Sequence, residues 1–262
     1  MQSIIKRLCG AVLVVCALSG GVAAGALADN YVALGDSYSS GTGTRDYSLN
    51  SGCQRGPYAY PALIARDRPG TSLTFVACSG ARTGDVLANQ VQSLNSSTNI
   101  VTITIGGNDA GFSSVITKCA QPWPVNCDGD ITNAQNYINN TLPGQLNGVY
   151  TQIKSRAPNA RVVVLGYPRI FMGVDCNAGT FFSSGEMTRL NQTADILKNV
   201  TAGRASAYGF TFKDAIPGFT GHAVCSSTEW LNGLSNPISD SYHPNRDGHR
   251  LGYEPLVRSV IG

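Results

Sequence analysis

Apolar runs rich in β-branched residues recur along the chain, each followed by a longer stretch whose apolar positions fall at helical spacing. Strands are expected over residues 31–34, 73–77, 100–105 and 161–165, with a weaker one over 210–212. The third and fourth contain V-T-I-T-I and V-V-V-L, the composition of strands buried on both faces. Helices are expected over 60–66, 85–94, 131–156 and 187–208, and again after Asn245. Each connection is long enough for a right-handed crossover, so the pattern predicts an α/β fold: a three-layer α/β/α sandwich around a parallel sheet of about five strands. Ligands of such sheets gather at the carboxyl ends of the strands. Three of those ends carry short polar segments, G-D-S-Y after the first strand, C-S-G-A after the second and G-G-N-D after the third.

The beginning of the chain follows a different pattern. Lys6 and Arg7 precede an apolar run over 11–18 and the small-residue triplet Ala26-Leu27-Ala28, the layout of a secretory signal peptide. A membrane-spanning helix is the competing reading, but the run is shorter than the roughly 20 residues a bilayer needs. Gly20, Gly21 and Gly25 also interrupt it. Residues 1–28 are therefore expected to be removed, leaving 29–262 as one secreted domain with no membrane span. Losing Lys6 and Arg7 lowers the formal net charge from +3 to about +1, and the remaining basic residues are scattered singly. Nucleic-acid binding has no electrostatic footprint here.

Eight cysteines are encoded; Cys9 and Cys16 leave with the leader, and Cys53, Cys78, Cys119, Cys127, Cys176 and Cys225 remain. An even count in a secreted chain implies disulfides. Zinc is disfavoured, because no C-x-x-C pair occurs and no histidine sits at ligand spacing from a cysteine pair. Six cysteines allow fifteen pairings, and closeness along the chain favours only Cys119 with Cys127.

The strand-end segments supply the parts of a serine nucleophile. A serine hydroxyl needs a base, a group to orient that base and donors for an oxyanion. Ser37 follows Gly35-Asp36 where a tight turn into a helix exposes its hydroxyl, although helix capping is the plainer role for such a serine. Of the three histidines, His243 in D-S-Y-H-P-N has Asp240 three residues earlier to orient it, His249 reads as a surface residue, and His222 beside Cys225 reads as structural. Gly80 and Ser37 can give backbone N–H groups to the oxyanion and Asn108 a side-chain amide, against ordinary roles as turn glycine and helix cap.

Together, Ser37 in G-D-S, Gly80 in C-S-G-A, Asn108 in G-G-N-D and His243 in D-S-Y-H resemble the four blocks of the GDSL, or SGNH, hydrolase family. The segments Y-V-A-L-G-D-S-Y-S-S-G, A-C-S-G-A-R-T-G-D-V and I-T-I-G-G-N-D-A-G-F are similar to those of the secreted actinomycete lipases and esterases of that family. The resemblance implies a flavodoxin-like fold and a monomer that cleaves small-molecule or lipid esters without a cofactor. It implies Ser37 as nucleophile, His243 as base and Asp240 as third member, with Ser37, Gly80 and Asn108 around the oxyanion. Some secreted relatives orient the histidine by a backbone carbonyl instead. It also implies disulfides Cys53–Cys78, Cys119–Cys127 and Cys176–Cys225.

Two other functions are weighed against this one. An acetyl esterase of polysaccharides would use the same site. A non-catalytic glycan-binding module would use Tyr38, Tyr58, Tyr60, Trp123 and Trp230 as a surface, but would have no use for the nucleophile set. The loop over 121–130 could serve as a short lid, and sequons stand at Asn95, Asn139, Asn191 and Asn199.

Overall fold

The structure, a computed structural model, describes residues 29–262. The expected leader over 1–28 lies outside the described residues. In chain order the elements are β1 (Asn30–Gly35), α1 (Ser37–Ser40), α2 (Tyr60–Asp67), β2 (Ser72–Phe75), α3 (Thr83–Asn89), β3 (Ile100–Thr104), α4 (Phe112–Cys119), α5 (Asp128–Asn140) and α6 (Leu142–Arg156). β4 (Arg161–Leu165), α7 (Ser184–Ala207), β5 (Thr211–Lys213), α8 (Ile216–Phe219) and α9 (Glu254–Ile261) follow, the last entered through a widened helical turn over Gly248–Tyr253.

All pairings are parallel and the strand order is β2-β1-β3-β4-β5. The chain steps from β1 to one neighbour and then returns to its other side, so the carboxyl ends of β1 and β3 form the switch point at which such sheets bind ligands. Alternation along β1 divides the core in two: Tyr31 and Ala33 join one cluster with Tyr60, Ile64, Val257 and Ile261, while Val32 and Leu34 join another with Val86, Leu146, Val149 and Ile153. Helices therefore cover both faces of the sheet, and β3 is buried throughout.

The long helix expected over 131–156 is two helices, broken at Thr141. Pro143 has no N–H to give the Asn139 carbonyl and its ring crowds that carbonyl, so the first helix cannot run through, whereas the first turn of a new helix accepts a proline. The region expected as one helix over 85–94 likewise ends at Asn89 and resumes as a single tight turn. α7 starts earlier than expected because Ser183 and Glu186 cap it reciprocally. Three disulfides are present, Cys53–Cys78, Cys119–Cys127 and Cys176–Cys225. The second closes most of the loop considered as a lid, and α5 already begins at Asp128.

Candidate active site

The G-D-S-Y segment is held by its backbone. Gly35 sits at φ +122°, and a Cβ there would lie 2.4 Å from the Thr104 carbonyl, so only glycine lets β1 and β3 approach this closely. Gln90 clasps the same residue from the other side, its amide oxygen accepting from Gly35 N–H (2.7 Å) and its amide nitrogen donating to Gly35 C=O (2.9 Å). Asp36 then caps α1, accepting from Tyr38 N–H (3.0 Å), and also accepts from the Thr104 and Tyr167 hydroxyls. Ser37 is thereby placed at the first position of a helix one turn long.

Burial of Asp36 raises its carboxyl to about 7, although its three hydrogen bonds oppose the shift. The side chain next to Ser37 therefore loses most of its charge in mildly acidic solution.

Ser37 Oγ and His243 Nε2 lie 2.8 Å apart, within reach for proton transfer. His243 arrives on a loop tied down by Asn232, whose N–H donates to the His243 carbonyl (2.9 Å) and whose carbonyl accepts from Tyr242 N–H (2.9 Å). The Tyr38 hydroxyl donates to the Tyr242 carbonyl (2.7 Å), joining that loop directly to α1.

The expected Asp240–His243 hydrogen bond is not made. His243 Nδ1 lies 2.9 Å from the Ser241 carbonyl, so Nδ1 carries the proton and Nε2 is free to act as base. The cause is local: Tyr242 adopts φ +60°, rare for a residue with a large side chain, and this turns the preceding carbonyl toward the imidazole. Asp240 is fully buried and accepts from the Tyr47 hydroxyl instead, with Arg45 Nε at 3.9 Å. Asp240→Asn should accordingly lower kcat by less than about 10-fold, far from the ~10⁴-fold loss seen where a carboxylate alone fixes the tautomer. Steady-state kinetics at pH 8 checks this.

Burial pulls the His243 imidazole from its ordinary 6.5 down to about 4, opposed by the Ser241 carbonyl and the Asp240 charge. A base must be neutral, so a depressed value extends activity to lower pH. The acid limb of the kcat/KM profile is expected below 6.5 and toward 4; a limb at or above 6.5 would contradict this environment.

Asn108 follows β3. One hydrogen of its amide goes to the Ala81 carbonyl (3.0 Å), which leaves the other for a ligand. Its neighbour Asp109 accepts from the Thr83 N–H (3.1 Å) and hydroxyl (2.6 Å), so the G-G-N-D segment is bolted to the residues just after C-S-G-A. Gly80 has φ +81° with open space where a Cβ would stand. Among the described residues, neither Ser37 N–H nor Gly80 N–H donates to a protein acceptor. Ser37, Asn108 and His243 line one cleft. Gly80 does not line it but is joined to it through the Ala81–Asn108 bond.

The remaining sequence candidates are dispersed. His249, expected at the surface, is fully buried: its Nδ1 accepts from Tyr60 N–H (3.2 Å) and its ring lies among Tyr60 and Tyr253, because the widened turn before α9 faces the core. His222 stacks on Trp230 at 3.8 Å beside the third disulfide. Tyr38 and Tyr60 are buried and Tyr58 lies under the Arg246 guanidinium, so the aromatics do not form one exposed surface. The Asn191 amide is engaged by the backbone of Ile170 and Phe171 and is not free to carry a glycan.

The model of the GDSL-like lipase/acylhydrolase family matches residues 33–251, a span that holds the three strand-end segments and the D-S-Y-H loop. The chain belongs to that family. This GDSL-like protein is 48% identical over 235 residues to a lipase of Streptomyces rimosus, covering 89% of this chain and 87% of the relative. Among solved structures it is similar to an extracellular lipase of Streptomyces rimosus (TM-score 0.84, 48% identity, 89% of this chain and 100% of that one). It is also similar to a phospholipase A1 of Streptomyces albidoflavus NA297 (TM-score 0.84, 47% identity, 89% and 99%). The GDSL-like chain is an ester hydrolase of the SGNH fold. Among the described residues no helix is long and apolar enough to cross a membrane.

Proposed function

We propose that this enzyme is a secreted, monomeric lipase that cleaves carboxylic esters with extended acyl chains, Ser37 acting as nucleophile and His243 as general base. The carrying observation is the 2.8 Å Ser37–His243 contact on the wall of a cleft that is also lined by two helices. Ile131, Ala134 and Ile138 fall on one face of α5, and Leu190, Ala194 and Leu197 on one face of α7; these faces line the cleft. Each acyl methylene buried there contributes about 0.8 kcal/mol. An acetyl group would leave this surface unused, which favours the lipase reading over a polysaccharide acetyl esterase.

In the reaction Ser37 Oγ attacks the ester carbonyl as His243 Nε2 takes its proton. Ser37 N–H, Gly80 N–H and the free hydrogen of Asn108 Nδ2 receive the oxyanion. The imidazolium, held by the Ser241 carbonyl, returns the proton to the leaving alcohol. Water then attacks the acyl-enzyme by the same route and releases the acid. Secretion, with residues 1–28 removed and 29–262 as one domain, is supported by the Lys6-Arg7 start, the three disulfides and the likeness to an extracellular lipase.

An alkyl phosphonate probe should add one equivalent of mass to the enzyme, on the peptide containing Ser37. A panel of p-nitrophenyl esters should show kcat/KM rising from acetyl to octanoyl. Activity confined to acetyl would sink the lipase reading.

A further inference from the structure

The direct hydrogen bonds between β1 and β3 run out just where the chemistry begins. The last backbone bond is Asp36 N–H to the Thr104 carbonyl (3.0 Å), and the side-chain bonds from Asp36 and Ser39 toward β3 also end at Thr104. Ser37 lies beyond that point in α1, and Asn108 beyond it in the turn before α4. Asn108 and Asp109 tie that turn to Ala81 and Thr83, on the Gly80 side. Among the described residues, the one hydrogen-bonded bridge from that turn toward Ser37 runs through Tyr167.

Tyr167 stands just past β4, two strands away from β1, a separation of about 10 Å across the sheet. Its ring crosses the end of β3 and passes over Gly107, where a Cβ would lie 3.4 Å from Cε1 and Cζ. At the tip one oxygen serves both turns: it accepts from Gly107 N–H (3.2 Å) and donates to Asp36 Oδ2. Asp36 passes the tie on, since its other oxygen accepts from Tyr38 N–H (3.0 Å) in the helix that holds Ser37. The bonds run in one direction, so each polarises and strengthens the next. The tyrosine is itself held. Gly166 donates to the Lys213 carbonyl (2.9 Å) and accepts from the Tyr253 hydroxyl (3.0 Å), Pro168 restricts the backbone of Tyr167, and the Tyr38 ring meets its ring edge-on at 5.0 Å.

We infer that Tyr167 is a positioning residue for the reaction: its hydroxyl pins the turn that carries Ser37 to the turn that carries Asn108, and so sets the distance between nucleophile and oxyanion donor. This rests on the proposed roles of Ser37 and Asn108 and deepens them. A donor stabilises an oxyanion only when it is aimed at the place where the charge develops, within about 0.5 Å. A misplacement of about 1 Å costs about 100-fold.

Tyr167→Phe keeps the ring on the cleft wall and removes the pin. With p-nitrophenyl octanoate, kcat should fall about 10- to 100-fold while KM stays within about 2-fold of the wild-type value. Tyr31→Phe is the matched control: it deletes the buried Tyr31–Thr102 hydroxyl bond (2.7 Å), which joins the same two strands inside their ladder. It should leave kcat within about 2-fold, and both variants should lose a similar few degrees of melting temperature. In an Asn108→Ala background Tyr167→Phe should cost less than about 3-fold, because the donor whose aim it fixes is already gone. An unchanged kcat, a Tyr167→Phe enzyme that fails to fold, or a loss as large without the Asn108 amide as with it would overturn the inference. Phosphonate labelling of Ser37 in the wild-type enzyme keeps the levels apart: such a result with labelling intact removes only the pin, whereas failure to label removes the reading beneath it.

Discussion

Ser37→Ala is expected to lower kcat by about 10⁴-fold or more, with little change in the melting temperature. The side chain is 6% exposed, but it does no packing that alanine cannot do, and its one side-chain hydrogen bond is the 2.8 Å contact to His243. Position is supplied by the neighbours: Gly35 against Thr104, the Gln90 clasp and the Asp36 cap all act through backbone or through side chains that the substitution leaves in place. A 10⁴-fold loss is about 5.5 kcal/mol of transition-state stabilisation, well beyond the removal of one neutral hydrogen bond. His243→Ala should cost about as much, and the double variant little more, because the two side chains act as one unit. Single-turnover hydrolysis of a p-nitrophenyl ester, with thermal unfolding run alongside, measures both halves. An enzyme that keeps more than about a tenth of its activity without the Ser37 hydroxyl would need another nucleophile.

The strands and most helices were legible because periodicity reports burial directly. β1, β3 and β4 are buried on both faces and rich in β-branched or apolar residues, and α2 and α7 keep their apolar residues at helical spacing. The helix over 131–156 misled because Leu142 and Leu146 continue the apolar spacing across Pro143, and the break is a backbone effect that periodicity does not record. The three strand-end segments were legible for a different reason: each occupies a position the topology brings to one edge, to which the loop bearing His243 also comes.

What stayed hidden is what acts through backbone atoms or distant side chains. The Ser241 carbonyl faces His243 because Tyr242 takes a left-handed backbone conformation, and every residue has a carbonyl, so no residue type marks it. Asp240 stands at the right spacing for the same role, and only the family resemblance admitted a backbone carbonyl in its place. Gln90 holds Gly35 from 55 residues away, and Thr104 and Tyr167 hold Asp36 from 68 and 131 residues away, in loops and strands whose partners only the fold reveals. His249 looked exposed beside Arg250 and Asp247, yet the widened turn aims it inward against Tyr60 while both charged neighbours form an ion pair outside.

Asn108→Ala should cost about 100- to 1000-fold in kcat with KM changed little. The amide's free hydrogen has no protein acceptor to lose, so in the resting enzyme its removal is nearly silent. Its bond to an oxyanion exists only once negative charge builds on the carbonyl oxygen, and an interaction made only in the transition state appears in kcat rather than in KM. A merely structural role would read differently. The same side chain also holds the Ala81 carbonyl next to Gly80, and if that were its main service, loosening the turn would raise KM and lower the melting temperature together. Asn108→Asp sharpens the distinction, since it preserves shape but replaces the donor by an acceptor whose charge opposes the oxyanion. It should be at least as impaired as alanine in kcat, with Ser37 still open to a phosphonate probe. An aspartate variant that retained most of its turnover would remove Asn108 from the oxyanion site and leave the two backbone N–H groups to carry it.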